Sequence, residues 1–209
     1  MEMNLLKIYE LLFEEHGPQE WWPADTPFEV AVGAILTQNT SWRNVEAAID
    51  QMKEAEMLDA KKLAEESTEV IGHLIKPAGF WKAKAGAIKS IAKLFSENSF
   101  SEGRNAPGRN RLLAIKGVGN ETADAILLYA FGENVFVVDK YTRRLLTRLG
   151  MNPPEGYRAL QDIFVRSLPD DVELYGEYHA LIVKHSKAVC KSTPSCSDCC
   201  LRSYCNRNT

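Results

Sequence analysis

The stretch from Leu112 to Arg144, LLAIKGVGNETADAILLYAFGENVFVVDKYTRR, constrains this chain more than any other. Leu112, Leu113 and Ile115 end one short apolar helix at Gly117-Val118-Gly119. A second helix follows, with Ala123, Ile126, Leu127 and Ala130 at helical spacing. The pattern predicts helix, hairpin, helix. Two glycines allow the tight turn and Asn120 is placed to cap the second helix, so unpaired N–H groups gather at a positive helix end suited to a phosphate. Phe131 and Gly132 close that helix, Val135 to Val138 drops into a core, and Asp139 stands just before a basic helix start, Lys140-Tyr141-Thr142-Arg143-Arg144. Taken alone, the glycines also suit a plain inter-helix turn and Asp139 a simple N-cap.

The surroundings of that stretch are helical throughout. Met3 to His16 carries Leu5, Ile8, Tyr9, Leu12 and Phe13 on one stripe and ends at Gly17-Pro18. Trp21-Trp22-Pro23 is held extended by its proline and suits either core packing or an aromatic wall for a flat ligand. Pro27 opens the apolar run Phe28 to Leu36, which predicts a buried helix ending in the polar Thr37-Gln38-Asn39-Thr40. Thr40 or Ser41 is then placed to cap a helix with Trp42, Val45, Ile49 and Met52 on one face. Residues 53 to 66 are charged and expected to be exposed. Further helices are expected over Ser67 to Ile75, after Pro77-Ala78-Gly79 (with Ala87, Ile88, Ile91, Leu94 and Phe95), over Tyr157 to Leu168 and over Val172 to Lys187, with a polar linker from Asn98 to Gly108. Val135 to Val138 is strand-like but too isolated to pair, so the expected class is all-α.

The net charge of −3 does not by itself suggest a nucleic-acid partner, but its distribution does. Residues 104 to 148 and 184 to 209 each carry a net +4, leaving −11 for the remainder, so basic charge collects at the hairpin and the C-terminus. No apolar run has the length of a membrane span and the N-terminus lacks a basic leader, so a cytoplasmic protein with no membrane partner is expected.

All five cysteines fall within the last twenty residues. Cys190, Cys196, Cys199 and Cys205 read C-x5-C-x2-C-x5-C, with Cys200 the spare, although a set using Cys200 in place of Cys199 also fits. An odd count without an export signal argues for a metal over disulfides. Four thiolates suit a [4Fe-4S] cluster or a structural zinc; a single close C-x2-C pair leans towards the cluster.

GVG-x-x-TA followed by VxVD and a basic segment resembles the helix-hairpin-helix DNA glycosylases of the endonuclease III type, whose cysteine pattern differs from this one by a single residue in the first gap. Trp21-Trp22-Pro23, ILTQNT followed by Trp42, and KGxGxETADAI resemble in particular the endonuclease III-like 3-methyladenine glycosylases of bacteria, over most of the chain. That resemblance implies two lobes with the active site in the cleft between them, one of residues 23–133 including the hairpin, the other of 1–22 plus 134–209 with a C-terminal [4Fe-4S] loop bearing Lys191 and Arg202. It implies Asp139 as the catalytic carboxylate; Lys116, Gly117, Val118, Gly119, Lys140 and Arg143 as DNA contacts; Gln38 as the side chain filling the hole left by an extruded nucleotide; and Trp21, Trp22 and Trp42 as a base pocket, with Lys187 a further lysine near it. The lyase lysine of bifunctional members, two residues past the second hairpin glycine, is here Glu121, which forms no imine. The expected function is a monomeric, monofunctional glycosylase removing an alkylated purine from duplex DNA. The alternatives are oxidised pyrimidines, uracil or thymine opposite guanine, and a DNA-binding scaffold without chemistry.

Overall fold

A computed structural model describes residues 4–100 and 105–206. Residues 101–104 of the expected linker and Met3 of the expected first helix lie outside the described residues. The protein is all-α: among the described residues no β-strand forms, and no helix is long and apolar enough to cross a membrane. The chain divides into two compact units, one of Met1–Trp21 with Asn134–Thr209, the other of Trp22–Glu133.

The Trp22–Glu133 unit is built around α2 (Pro27–Leu36). Thr26 caps it, its hydroxyl accepting from the Glu29 N–H at 3.1 Å, with Pro27 at the first helical position. Every residue of α2 after Pro27 is buried, as its all-round apolar sequence requires. It packs on α3 (Trp42–Glu54), α6 (Trp81–Ser96) and α8 (Asn120–Phe131). The charged segment after α3 is exposed or half-buried apart from Leu63, and it also holds a short helix, α4 (Ala60–Glu65), capped by Asp59 and pinned to α6 by that buried leucine. Thereafter α5 (Thr68–Leu74) also lies on α6, and α7 (Arg109–Leu113) pairs with α8.

In the other unit α1 (Leu5–His16) packs on α10 (Tyr157–Ser167) and α11 (Val172–Ala188), and α11 packs on α9 (Lys140–Arg148). An aromatic cluster forms its centre. Phe136 and Phe164 stack at 4.1 Å, the edges of Tyr175 and Tyr178 close on Phe136, and Tyr178 donates its hydroxyl to the Leu5 carbonyl at 2.9 Å. Val135 to Val138 runs extended through this core without a neighbouring strand. A side chain replaces the missing ladder: the Gln161 amide donates to the Phe136 carbonyl at 2.6 Å. The run then delivers Asp139 to the start of α9.

Phe164 is fully buried at the heart of this cluster. Phe164→Ala is expected to lower the unfolding free energy by about 3–5 kcal/mol through lost transfer and an unfilled cavity, read by denaturant titration.

Candidate active site and metal centre

The hairpin is a rigid object. Gly117 has φ 95°, a conformation in which side chains are strained, and Val118 buries its side chain and so anchors the turn. Lys116, Gly117 and Gly119 remain exposed. Asn120 does not cap α8 as expected. Gly119 occupies the cap position without a side-chain bond, and the Asn120 side-chain amide oxygen Oδ1 accepts instead from the Arg109 guanidinium at 2.9 Å. Arg109 also bridges to the fully buried Asp124 at 2.5 and 3.1 Å, clamping α7 to α8.

Gln38 lies against this hairpin. Its amide nitrogen donates to the Gly117 carbonyl at 2.9 Å and to the Thr122 hydroxyl at 3.0 Å. In the same unit Phe80, a residue with no flag in the sequence, is 71% exposed with a left-handed backbone (φ 47°) at the start of α6. An unburied phenyl ring on a strained turn, followed by Lys82, has the form of a wedge.

Asp139 has two duties divided between its oxygens. Oδ1 accepts from the Thr142 N–H at 2.7 Å and from the Thr142 hydroxyl at 2.9 Å, and that hydroxyl in turn accepts from the Asp139 N–H, completing a capping box for α9. Oδ2 lies 4.0 Å from Nε2 of His179 on α11, with both side chains nine-tenths buried. Burial and the charge of Lys187 push the His179 pKa down, against the pull of Asp139. Lys187 is itself held below the ordinary lysine range by burial, countered by Asp139 and reinforced by Lys140. The carboxylate thus belongs to a group of ionisable side chains, Asp139, His179 and Lys187. Lys140 is exposed, whereas Arg143 is half-buried and donates to the Pro154 carbonyl at 2.9 Å.

The three tryptophans are distributed over the two units, Trp21 in one and Trp22 and Trp42 in the other. Trp22 meets Trp42 edge-on with centroids 5.4 Å apart and Tyr129 at 5.5 Å, and lies so close to α2 that a Cβ on Gly33 would be 3.2 Å from the indole. A cavity of about 170 Å³ opens here, lined by Trp22, Trp42, Val45 and three carboxylates, Glu29, Glu46 and Asp50. Glu29 is buried and paired with Lys53 at 2.7 Å, while Glu46 and Asp50 stay exposed at the rim.

Cys190, Cys196, Cys199 and Cys205 line one small cavity together with Arg148, and Cys200 does not. Arg148 organises the loop by donating to the carbonyls of Cys190, Lys191 and Ser192 and to Cys190 Sγ at 3.1 Å. Burial and the neighbouring Cys190, Cys205 and Cys196 push the Cys199 thiol up, so four thiolates would gather here only around positive charge. Among the described residues no three His, Cys, Asp or Glu side chains converge as ligands of one ion. The four sulfurs border one common space, and four thiolates are the donor set of a [4Fe-4S] cluster or a structural zinc. Cys200 is pushed up to about 11, chiefly by burial, and is a protonated thiol at neutral pH.

Residues 32–169 match the family described as the HhH-GPD superfamily of base excision DNA repair proteins. Over 209 aligned residues the chain is 44% identical to a candidate DNA repair glycosylase of Methanocaldococcus jannaschii, covering 96% of this chain and 95% of that one. It is similar in structure to the H. pylori 3-methyladenine DNA glycosylase solved with 1,N6-ethenoadenine, at 30% identity and TM-score 0.80 over 88% of this chain and 98% of that one. Its fold also matches endonuclease III trapped on DNA as a covalent intermediate, with TM-score 0.83 at 20% identity over 99% and 97% of the two chains.

Asp124→Ala removes the carboxylate that holds Arg109. It is expected to lower stability by about 3 kcal/mol and to weaken binding to undamaged duplex as the hairpin loosens, read by denaturant titration and fluorescence anisotropy.

Proposed function

The chain belongs to the HhH-GPD superfamily of base excision DNA repair proteins, and we propose that within it this protein is a monofunctional DNA glycosylase for alkylated purines. The observation that carries the substrate is the Trp22–Trp42 cavity. Two indoles and three carboxylates, of which Glu29 is paired with Lys53, make it π-rich and net negative, with room for about six waters at about 30 Å³ each, a volume suited to a flat base rather than a larger ligand. A purine alkylated at a ring nitrogen is cationic within DNA. Indole faces and rim carboxylates favour that cation over a neutral base by cation–π and Coulomb attraction. The H. pylori relative, named for 3-methyladenine, supports the same class.

The chemistry then divides among the groups described. The exposed amides of Gly117 and Gly119 with Lys116 take a backbone phosphate, assisted by Lys140. The target nucleotide leaves the stack, since its glycosidic bond is otherwise out of reach. Gln38 releases the Gly117 carbonyl and enters the vacated space, and Phe80 wedges between neighbouring bases. As the bond to the base lengthens, positive charge grows on the sugar, and Asp139 Oδ2 stabilises it while Oδ1 stays fixed by Thr142. A cationic base leaves neutral, so no strong general acid is needed. With Glu121 at the lyase position, water completes the reaction and an abasic site remains. Cys190, Cys196, Cys199 and Cys205 would hold a [4Fe-4S] cluster, which supplies a structural brace for the loop bearing Lys191 and Arg202.

Incubation with duplexes carrying 3-methyladenine, thymine glycol, G·U or G·T tests this reading. Free 3-methyladenine is expected, with strand breaks only after alkali. Preference for thymine glycol or a mismatch overturns the substrate, release from none supports a binding scaffold, and a borohydride-trapped adduct overturns the monofunctional assignment. Asp139→Asn is expected to slow release by about 10²–10⁴-fold while keeping lesion binding. Trp42→Ala is expected to raise KM for the cationic lesion, measured in the same assay.

A further inference from the structure

A buried cation in the Trp22–Glu133 unit has no part in the proposed chemistry. Lys84, in the first turn of α6, is 4% exposed, a position an ammonium tolerates only where its donors find partners. Burial holds its pKa below the ordinary lysine range. Its Nζ donates to the Leu36 carbonyl at 2.8 Å and to the Ala78 carbonyl at 2.9 Å. Both acceptors end a helical segment, Leu36 closing α2 and Ala78 closing the 3₁₀ turn Lys76–Ala78, where carbonyls lack a helical donor and the dipole is negative. A side chain on a helix leans towards its N-terminus, which carries the ammonium back past Phe80. The backbone N–H of Lys84 adds a further bond, to the Phe80 carbonyl at 3.2 Å.

The two carbonyls lie next to the two side chains proposed to enter DNA. Leu36 stands two residues before Gln38, and Ala78 two before Phe80. Each segment then turns through a left-handed residue that is not glycine, Asn39 at φ 53° and Phe80 at φ 47°, and such backbone persists only where its surroundings hold it. All of these residues belong to the same compact unit. We infer that Lys84 is a positioning residue for nucleotide extrusion: by gripping the chain just before Gln38 and just before Phe80, it fixes the spacing of the two side chains that enter the duplex. The inference rests on the roles proposed for Gln38 and Phe80. When Gln38 exchanges its bonds to Gly117 and Thr122 for partners on DNA, the held Leu36 carbonyl keeps the base of its turn in place. A filler and a wedge at one set separation open a base step together, whereas two independent loops would each lose conformational entropy on meeting the duplex.

Single-turnover base release tests the assignment. The lesion that wild type releases fastest, 3-methyladenine on the proposed function, is placed in two duplexes, one with its partner base and one with an abasic site opposite, where no base pair has to be broken. Lys84→Met keeps the reach of the side chain and removes its donors. It is expected to slow release from the paired duplex by about 10²-fold, the order lost to a misplacement of about 1 Å, and from the unpaired one by less than about tenfold. Lys84→Arg, which returns donors, is expected to recover at least about tenfold of the paired rate. A loss of stability alone lowers both rates by one factor, so an equal loss on the two duplexes, no loss, or no recovery in a folded Lys84→Arg overturns the inference. If Lys84→Met does not fold, Gln38→Ala, Phe80→Ala and the double variant decide: a fixed pair gives a double loss well short of the product of the single losses, and a full product overturns it. Fluorescence of 2-aminopurine beside the lesion reports opening without hydrolysis. If wild type gives neither released base nor a fluorescence rise, the reading of Gln38 and Phe80 falls and the inference with it; if wild type gives both and Lys84→Met matches it, only the role of Lys84 falls.

Discussion

The capping box between Asp139 and Thr142 is the interaction on which the catalytic reading depends. A flexible carboxylate would lose rotamer entropy each time it met a developing cation. Here that ordering is completed on folding, because Oδ1 satisfies the first turn of α9 and fixes the side chain. The same bonds orient Oδ2 towards His179. One side chain therefore stabilises a helix and presents a preset charge, and the stability it contributes as a cap does not compete with its chemistry because different oxygens are used.

In the other unit, the parts proposed to meet DNA differ in rigidity. Asp124 and Arg109 hold α7 against α8, so the hairpin amides are presented without a folding cost at the moment of binding. Gln38 is different, because its amide nitrogen is held by one bond to the hairpin carbonyl of Gly117 and one to the Thr122 hydroxyl on α8. Leaving both Gly117 and Thr122 costs two modest hydrogen bonds, of about 1 kcal/mol each, which on the proposed function partners on an estranged base replace. These two bonds tie the α2–α3 turn to the hairpin and to α8.

Much of this was legible before any coordinates, for physical reasons that differ from residue to residue. Periodicity revealed the long helices, and the all-α class followed from the lack of any partner for Val135 to Val138. Composition could not reveal that Gln161 satisfies that run, because a contact spanning 25 residues has no local signature. Asn120 has the local preference of a cap, but its side-chain amide oxygen is engaged by Arg109, eleven residues away, which no local pattern signals. His179 gave little signal: a lone histidine between Tyr178 and Ile182 on a buried helix reads as core, and only the fold brings it to Asp139. Phe80 was overlooked for the opposite reason, as an aromatic residue beside Trp81 is expected inside, not 71% exposed.

A chain of net −3 that binds a polyanion must keep its acids away from the phosphates, and the sequence does so by gathering lysine and arginine at the hairpin stretch and the C-terminus. The acids that remain are not uniformly spread. Glu29, Glu46 and Asp50 sit beside Trp22 and Trp42, where a phosphate would be repelled and a cationic base attracted. On the proposed function, anion and cation recognition fall to different residues of the Trp22–Glu133 unit, the hairpin and the tryptophan cavity. A lesion that carries positive charge in an otherwise negative polymer differs from every normal base in sign, so a pocket with this field discriminates even where its shape is permissive.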